Sequence, residues 1–166
     1  FPTRRSSDLT GKNRAYYFAH GDEPVSDETA AEYLELIGRR AGHIPVQQLT
    51  HQAFFMGYEF YVNENVLIPR QDTETLVEEG LKCLEDVEKP EILDMCTGSG
   101  CILISLLLER QDARGAGVDV SPEALEVAKE NASLLKVENR ADFLESDLFS
   151  APYFCEKGGK EGEIGR

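Results

Sequence analysis

Glu91-Ile92-Leu93-Asp94-Met95-Cys96-Thr97-Gly98-Ser99-Gly100-Cys101-Ile102-Leu103-Ile104 is the stretch whose reading decides the fold. Ile92 to Met95 is a short apolar run and is expected to be a buried strand. It breaks into a loop of small residues, Cys96 to Gly100, and an apolar helix starts at once from Cys101. Strand, small-residue turn and helix in this order make the first crossover of a nucleotide-binding α/β sheet. Small residues let the backbone approach a ligand with no Cβ in the way, and the following helix presents unpaired N–H groups at its positive end. The ligand expected there is polar, flat-bodied and ribose-bearing.

Downstream, Cys101 to Arg110 reads as a helix buried against the sheet, and Ala116 to Val120 as the second strand. Asp119 stands at the end of that strand, 21 residues beyond Gly98. An acid at that spacing can accept hydrogen bonds from both ribose hydroxyls; the alternative is a helix cap or loop acid. Ser121-Pro122 opens the next helix as N-cap and first helical residue, with Ala124, Leu125, Ala128, Ala132 and Leu135 as its buried stripe. Ala141 to Leu144 is a candidate third strand, followed by Ser146-Asp147-Leu148-Phe149. Ligands of such sheets lie outside the carboxyl ends of the strands. Asp147 and Leu148 therefore belong to the same crevice, Asp147 toward an adenine amino group and Leu148 against the ring, unless they simply end a strand.

Upstream, Ser26 is an N-cap with Asp27 and Glu28 in the first helical turn. Ala30, Leu34, Ile37 and Ala41 share one face of that helix, Gly42 ends it, and Pro45 opens a short second turn through Gln48. This helical piece is too small to fold alone. Phe54-Phe55-Met56-Gly57-Tyr58-Glu59-Phe60-Tyr61-Val62 is aromatic and β-prone about a glycine, a hairpin pattern. Its rings read as packing groups rather than base-stacking platforms, since no Lys or Arg is interleaved. Val66 to Ile68 reads as a strand stopped by Pro69. Asp72 or Thr73 then caps a helix whose inner face is Leu76, Val77, Leu81 and Leu84. Pro90 separates that helix from the central strand.

The 166 residues make one domain, or one domain and part of another, and 41% hydrophobic with 29% charged residues is ordinary for a globular protein. A formal net charge of −14 argues against a bulk electrostatic grip on nucleic-acid phosphates. Arg39, Arg40 and His43 are the one local basic cluster, and cations at a helix C-terminus account for them. No apolar run approaches the roughly 20 residues that span a bilayer. The start shows no secretory signal pattern, so a cytoplasmic location is expected. Cys83, Cys96, Cys101 and Cys155 include no C-x-x-C pair and no histidine at ligand spacing, which argues for reduced thiols and no zinc site. Cys101 lies near a helix N-terminus, where a thiol pKa can fall, but no base neighbours it in sequence.

Phe1 to Leu9 (FPTRRSSDL) fits nothing downstream and coincides with one reading frame of a common sequencing-library adapter; residues 1–9 are read as a non-native scar. Residues 151–166 end in EKGGKEGEIGR, Gly- and charge-rich without apolar period, and read as a disordered or frame-shifted tail. Both ends suggest a piece of a longer natural protein.

The glycine loop alone leaves the nucleotide open. A dinucleotide fingerprint would carry a third Gly where this chain has Leu103, and the loop lacks the Lys and Ser/Thr of a phosphate-binding P-loop. Asp94 precedes the loop, and a carboxylate there suits a cationic amino-acid group better than a pyrophosphate. The combination points to S-adenosyl-L-methionine.

Three segments, ILDMCTGSG, GVDVSPEALEVAKENA and ESDLF, resemble in order the cofactor motifs of class I methyltransferases. The upstream LTHQAFFMGYEFYVNENVLIPRQDTETLVE resembles the linker hairpin and Pro-Arg-x-Asp-Thr-Glu signature of the protein-(glutamine-N5) methyltransferases that modify peptide chain release factors. The glycine loop is common to many methyltransferases; the hairpin with Pro69-Arg70-Gln71-Asp72-Thr73-Glu74 is narrow to this family. The resemblance runs from about Tyr16 to Phe149. It implies an α/β fold: a partial Rossmann-like class I sheet of three parallel strands, preceded by a helical remnant and a β-hairpin linker. The expected division is a substrate-binding helical remnant over 10–52, the linker over 53–71 and the first half of a methyltransferase domain over 72–150.

By the same resemblance, Cys96, Thr97, Gly98, Ser99 and Gly100 contact the cofactor's methionine and ribose, Asp119 its ribose hydroxyls, and Asp147 with Leu148 the adenine side. Cys96 departs from the family's usual Gly. The cofactor implied is S-adenosyl-L-methionine, the partner a release factor, with no membrane and no nucleic acid. The family's Asn-Pro-Pro-Tyr motif, which holds the glutamine amide, does not occur in the sequence. The chain is therefore expected to carry the donor half of a site, inactive by itself, with Ile92 to Met95 an exposed edge. Rival readings are an N6-adenine nucleic-acid methyltransferase, a non-catalytic nucleotide-binding module and, more remotely, an NAD-dependent oxidoreductase.

Overall fold

The chain divides between His51 and Gln52 into two units. The computed structural model describes residues 11–12 and 14–150. The expected scar at 1–9, the tail at 151–166 and Cys155 lie outside the described residues.

The first unit is helical: α1 (Arg14–Ala19), α2 (Asp27–Ala41) and α3 (Val46–Thr50). Ser26 caps α2, its side chain accepting from the Thr29 N–H, and Gly42 closes the helix. Pro45 stands one place before α3 as its N-cap rather than inside it. The expected apolar face of α2 is corrected. Ala30, Tyr33 and Leu36 are half-buried, whereas Leu34 is 66% and Ile37 43% exposed. The two stripes are neighbours on the helix and share Ala30, so periodicity alone does not choose between them.

In the second unit β1 (Gln52–Phe55) pairs antiparallel with β2 (Tyr58–Tyr61), Phe55 opposite Tyr58. Met56 (φ 51) and Gly57 (φ 80) form the two-residue connection, both left-handed as a type I′ hairpin turn requires. A 3-10 turn (Gln71–Thr73) leads into α4 (Glu74–Cys83). The main sheet is β3 (Glu91–Met95), β4 (Arg114–Asp119) and β5 (Ala141–Glu145), parallel and in sequence order. The crossovers are α5 (Cys101–Glu109) and α6 (Pro122–Leu134). The expected α/β class and its three parallel strands are borne out.

Phe55 and Phe60, in edge contact at 6.2 Å, are wholly buried in one core with Val77, Leu103, Ile104 and Leu107. Ala53 and Val62 join Val66, Ala124 and Val127 in a second cluster, so the hairpin packs against both crossover helices. Ring packing is what the hairpin sequence led one to expect. At the far end of the sheet, Arg140 donates to the carbonyls of Leu107 (2.8 Å), Arg110 and Ala113, satisfying the end of α5.

Three local expectations fail. Val66 to Ile68 forms no strand; it runs unpaired, with Leu67 82% exposed. On α4, Thr73 makes no side-chain cap, and Leu76 is 57% exposed while Val77 is buried. The run Ile92 to Met95 is a strand but not a buried one: Leu93 is 42% exposed and only Asp94 is buried. Side chains alternate across a strand, and Leu93 projects from the face opposite Ile92, which packs against the core. Among the described residues β3 pairs with β4 alone.

Candidate functional site

The loop after β3 is built by backbone conformation. Cys96 (φ 59), Gly98 (φ 55) and Gly100 (φ 78) are all left-handed, a run that only glycine adopts without strain. Cys96 therefore carries a conformational cost at the position where glycine would carry none, and its side chain is exposed. Thr97 and Ser99, between them, are buried. A Cβ on Gly100 would lie 2.9 Å from Ile104 Cδ1 and 3.2 Å from Ala128 Cβ, so this glycine lets the loop settle between the two helices. A Cβ on Gly98 would meet nothing within 4 Å. That is the open side of the loop.

Hydrogen bonds fasten the loop to the strands. The Thr97 N–H donates to Val118 O at 2.9 Å, and the Gly100 N–H to Thr97 O at 2.9 Å. Beneath it the Thr97 hydroxyl donates to Asp94 Oδ2 at 2.7 Å. Gly117 leaves room for that hydroxyl, since a Cβ there would lie 2.9 Å from Thr97 Oγ1. Burial pushes the Asp94 carboxyl above its ordinary value, against the Thr97 hydroxyl and the Leu103 backbone N–H, which favour its charge. Asp94 thus fastens the loop from beneath, its carboxyl buried against the Thr97 hydroxyl.

Asp119 joins the loop to the next crossover. Its Oδ2 accepts from the Gly98 N–H at 2.9 Å and its Oδ1 from the Ser121 N–H at 3.1 Å. A carboxylate has about four lone-pair sites, so these two bonds leave acceptor capacity on each oxygen. The side chain is half-buried beside the open face of Gly98. Ser121 caps α6 through the Ala124 N–H, as expected.

At the next strand end the buried Ser146 donates its N–H to Asp119 O at 2.9 Å. This stitches the end of β5 to that of β4. Asp147 is exposed, its N–H donating to Ser150 Oγ at 3.1 Å. Leu148 adopts φ 52 and is 55% exposed, its carbonyl accepting from Ser146 Oγ. The sequence-named residues therefore stand at the carboxyl ends of three neighbouring strands: Cys96 to Gly100 after β3, Asp119 at β4, and Asp147 with Leu148 after β5. Exposed Val120, Leu148 and Phe149 supply apolar surface at those ends.

Cys101 is unsuited to nucleophilic chemistry. Burial pushes its thiol up to about 11, overriding the Ser99 hydrogen bond and the helix N–H groups that act the other way. Among the described residues no group of three or more His, Cys, Asp or Glu side chains could hold a metal ion. Nor is any helix among them long and apolar enough to cross a membrane.

The residue that sequence reading passed over is Asn131. It is wholly buried on α6, its Oδ1 accepting from the Tyr61 N–H (2.7 Å) and its Nδ2 donating to Tyr61 O (3.0 Å) and Ser99 O (2.9 Å). The available signal was an amide inside the apolar stripe between Ala128 and Ala132, a place where a polar side chain needs partners.

Comparison with known proteins adds two family models. One described as PrmC N-terminal domain matches residues 6–50, and one described as Methyltransferase domain matches residues 86–157. A release factor glutamine methyltransferase of Burkholderia pseudomallei is 42% identical over 145 residues, 85% of this chain and 51% of that protein. Its namesake from Chlorobaculum tepidum is 37% identical over 156 residues, 91% of this chain and 53% of that protein. The chain spans about half the length of the curated relatives it matches. A solved RNA methyltransferase from Salinibacter ruber, in complex with S-adenosyl-L-homocysteine, is 28% identical. It covers 52% of this chain and 53% of its own at TM-score 0.44, too partial an overlap to bear on function. The resemblance to release factor glutamine methyltransferases that the motifs carry is borne out.

Proposed function

We propose that this chain is the cofactor-binding part of an S-adenosyl-L-methionine-dependent methyltransferase whose whole protein methylates the side-chain amide nitrogen of a glutamine in a peptide chain release factor. One observation carries the cofactor half: the Asp119 carboxylate, tied to the Gly98 N–H at 2.9 Å, stands beside the open face of that glycine with acceptor capacity left on both oxygens. Two vicinal hydroxyls of a ribose match that capacity. The absence of a Cβ at Gly98 leaves the room, and Leu148 with Asp147 lies one strand further along, where an adenine would follow its ribose.

The cofactor supplies a methyl group on a sulfonium centre. This chain's residues bind and orient its donor. Left-handed Cys96, Gly98 and Gly100 shape the turn, Asp94 and Thr97 hold it from beneath, and Asp119 fixes the sugar. Aligning an acceptor matters because an amide nitrogen is a poor nucleophile, its lone pair delocalised into the carbonyl, so catalysis rests on orientation and electrostatic placement. The residues that aim the amide belong to an Asn-Pro-Pro-Tyr motif that the 166 residues do not contain. Residues 10–52 fit a release-factor-binding role and 53–71 a linker; the site residues and a cytoplasmic setting belong to the same reading. The names of the relatives support the release factor as substrate.

Labelled-methyl transfer tests this. A longer protein joining these residues to the acceptor motif is expected to label a release factor and not DNA or RNA, while the 166-residue chain labels neither. Transfer to nucleic acid in place of the release factor would establish the adenine-methylating alternative.

A further inference from the structure

Asn131 lies outside the row of strand-end residues, yet its side chain is fully committed. Both its N–H donors and its carbonyl oxygen are used, and it is 0% exposed. Two of its bonds go to a single residue of the hairpin, the Tyr61 N–H and C=O. The third goes to Ser99 O, between the left-handed Gly98 and Gly100. The other fasteners of that loop run to the strands: Thr97 to Val118, Gly98 to Asp119, and the Thr97 hydroxyl to Asp94. Asn131 holds it from the helix side instead. One turn earlier on the same helix, Ala128 sits so close under Gly100 that a Cβ there would lie 3.2 Å from it.

We infer that Asn131 is a positioning residue that couples the β1–β2 hairpin to the cofactor loop, so that ligand occupancy of the loop and closure of the hairpin on α6 favour each other. This rests on the reading of the loop as a nucleoside site. The coupling follows from sharing. One amide cannot satisfy Ser99 O and the Tyr61 peptide groups unless loop, helix and hairpin are all in register, and leaving any of these buried groups unmet carries a penalty. A ligand that selects the loop's bonded geometry therefore selects the hairpin's, and by thermodynamic reciprocity the closed hairpin raises ligand affinity by the same factor.

The test is amide hydrogen exchange on the full chain with and without S-adenosyl-L-homocysteine, paired with calorimetry. In the wild type the ligand is expected to slow exchange at Gly98, at Gly100 and, about tenfold, at Tyr61. The Met56 amide at the far end of the hairpin, held by Glu74 Oε1 at 2.8 Å, is expected not to respond. Asn131→Asp keeps an acceptor for the Tyr61 N–H but removes both donors, and is expected to weaken binding about tenfold and abolish the ligand's effect at Tyr61. A purely structural role would lower the melting temperature of the variant without making wild-type Tyr61 exchange ligand-dependent. Slowing at Gly98 and Gly100 with none at Tyr61 overturns the coupling, as does unchanged affinity in Asn131→Asp. If that variant does not fold, the wild-type exchange pattern decides alone. Failure of the wild type to bind the nucleoside at all sinks the reading of the loop itself, a result distinct from either.

Discussion

Asp94 and Asp119 show how far residue type and spacing can carry a site. Asp119 was legible because its distance from Gly98 puts it at the next strand end, and the Gly98 N–H indeed donates to it. Asp94 was legible as an acid suited to a cationic amino-acid group, but not as a fastener: its buried carboxyl accepts from the Thr97 hydroxyl. Which way a strand-end side chain turns depends on what the loop packs over it, and no local pattern records that. The burial has a measurable consequence. The folded state holds the Asp94 proton more tightly than the unfolded state does, from an ordinary value of 3.8 upward. The stability contributed by this group is therefore greatest below 3.8 and falls as pH rises through the raised value, then levels off. Asp94→Asn removes that slope. The stability difference, variant minus wild type, is expected to grow with pH from 3.8 and reach a plateau, measured by urea denaturation at a series of pH values. A difference flat across that range would contradict the assignment. Asn131 was not legible at all, because its partners are backbone groups 32 and 70 residues away in sequence.

At the scale of elements, the hairpin, both crossover helices and the three parallel strands follow from period and punctuation. Met56-Gly57 sets the hairpin register, and Ser121-Pro122 sets the start of α6. The two strand failures share a cause. Among the described residues, Val66 to Ile68 has strand composition but no strand partner, and β3 has a core strand's composition but pairs along one edge alone. Strand identity depends on neighbours, which composition does not supply. Among the described residues the outer edge of β3 pairs with no strand; with Leu93 42% exposed, it is expected to template pairing between copies of the chain. Leu93→Lys is expected to lower the associated fraction severalfold by light scattering while changing stability by no more than about 0.5 kcal/mol. Equal association of the two proteins would show that the edge is not the contact.

Across the whole molecule, the helical first unit and the α/β second unit correspond to separate family models, and together they cover about half of the matched relatives. The proposed donor site lies at the strand ends of the second unit, and the proposed acceptor rests on likeness to relatives. The claim on which everything else stands is that the loop after β3 and the carboxylate at the end of β4 hold a sulfonium nucleoside. Calorimetric titration with S-adenosyl-L-homocysteine tests it most directly. Micromolar binding is expected, weakened at least about tenfold by Asp119→Ala through loss of charge-assisted hydrogen bonds worth about 1.5–3 kcal/mol. Absence of binding, or uptake of a nicotinamide dinucleotide in its place, would contradict it.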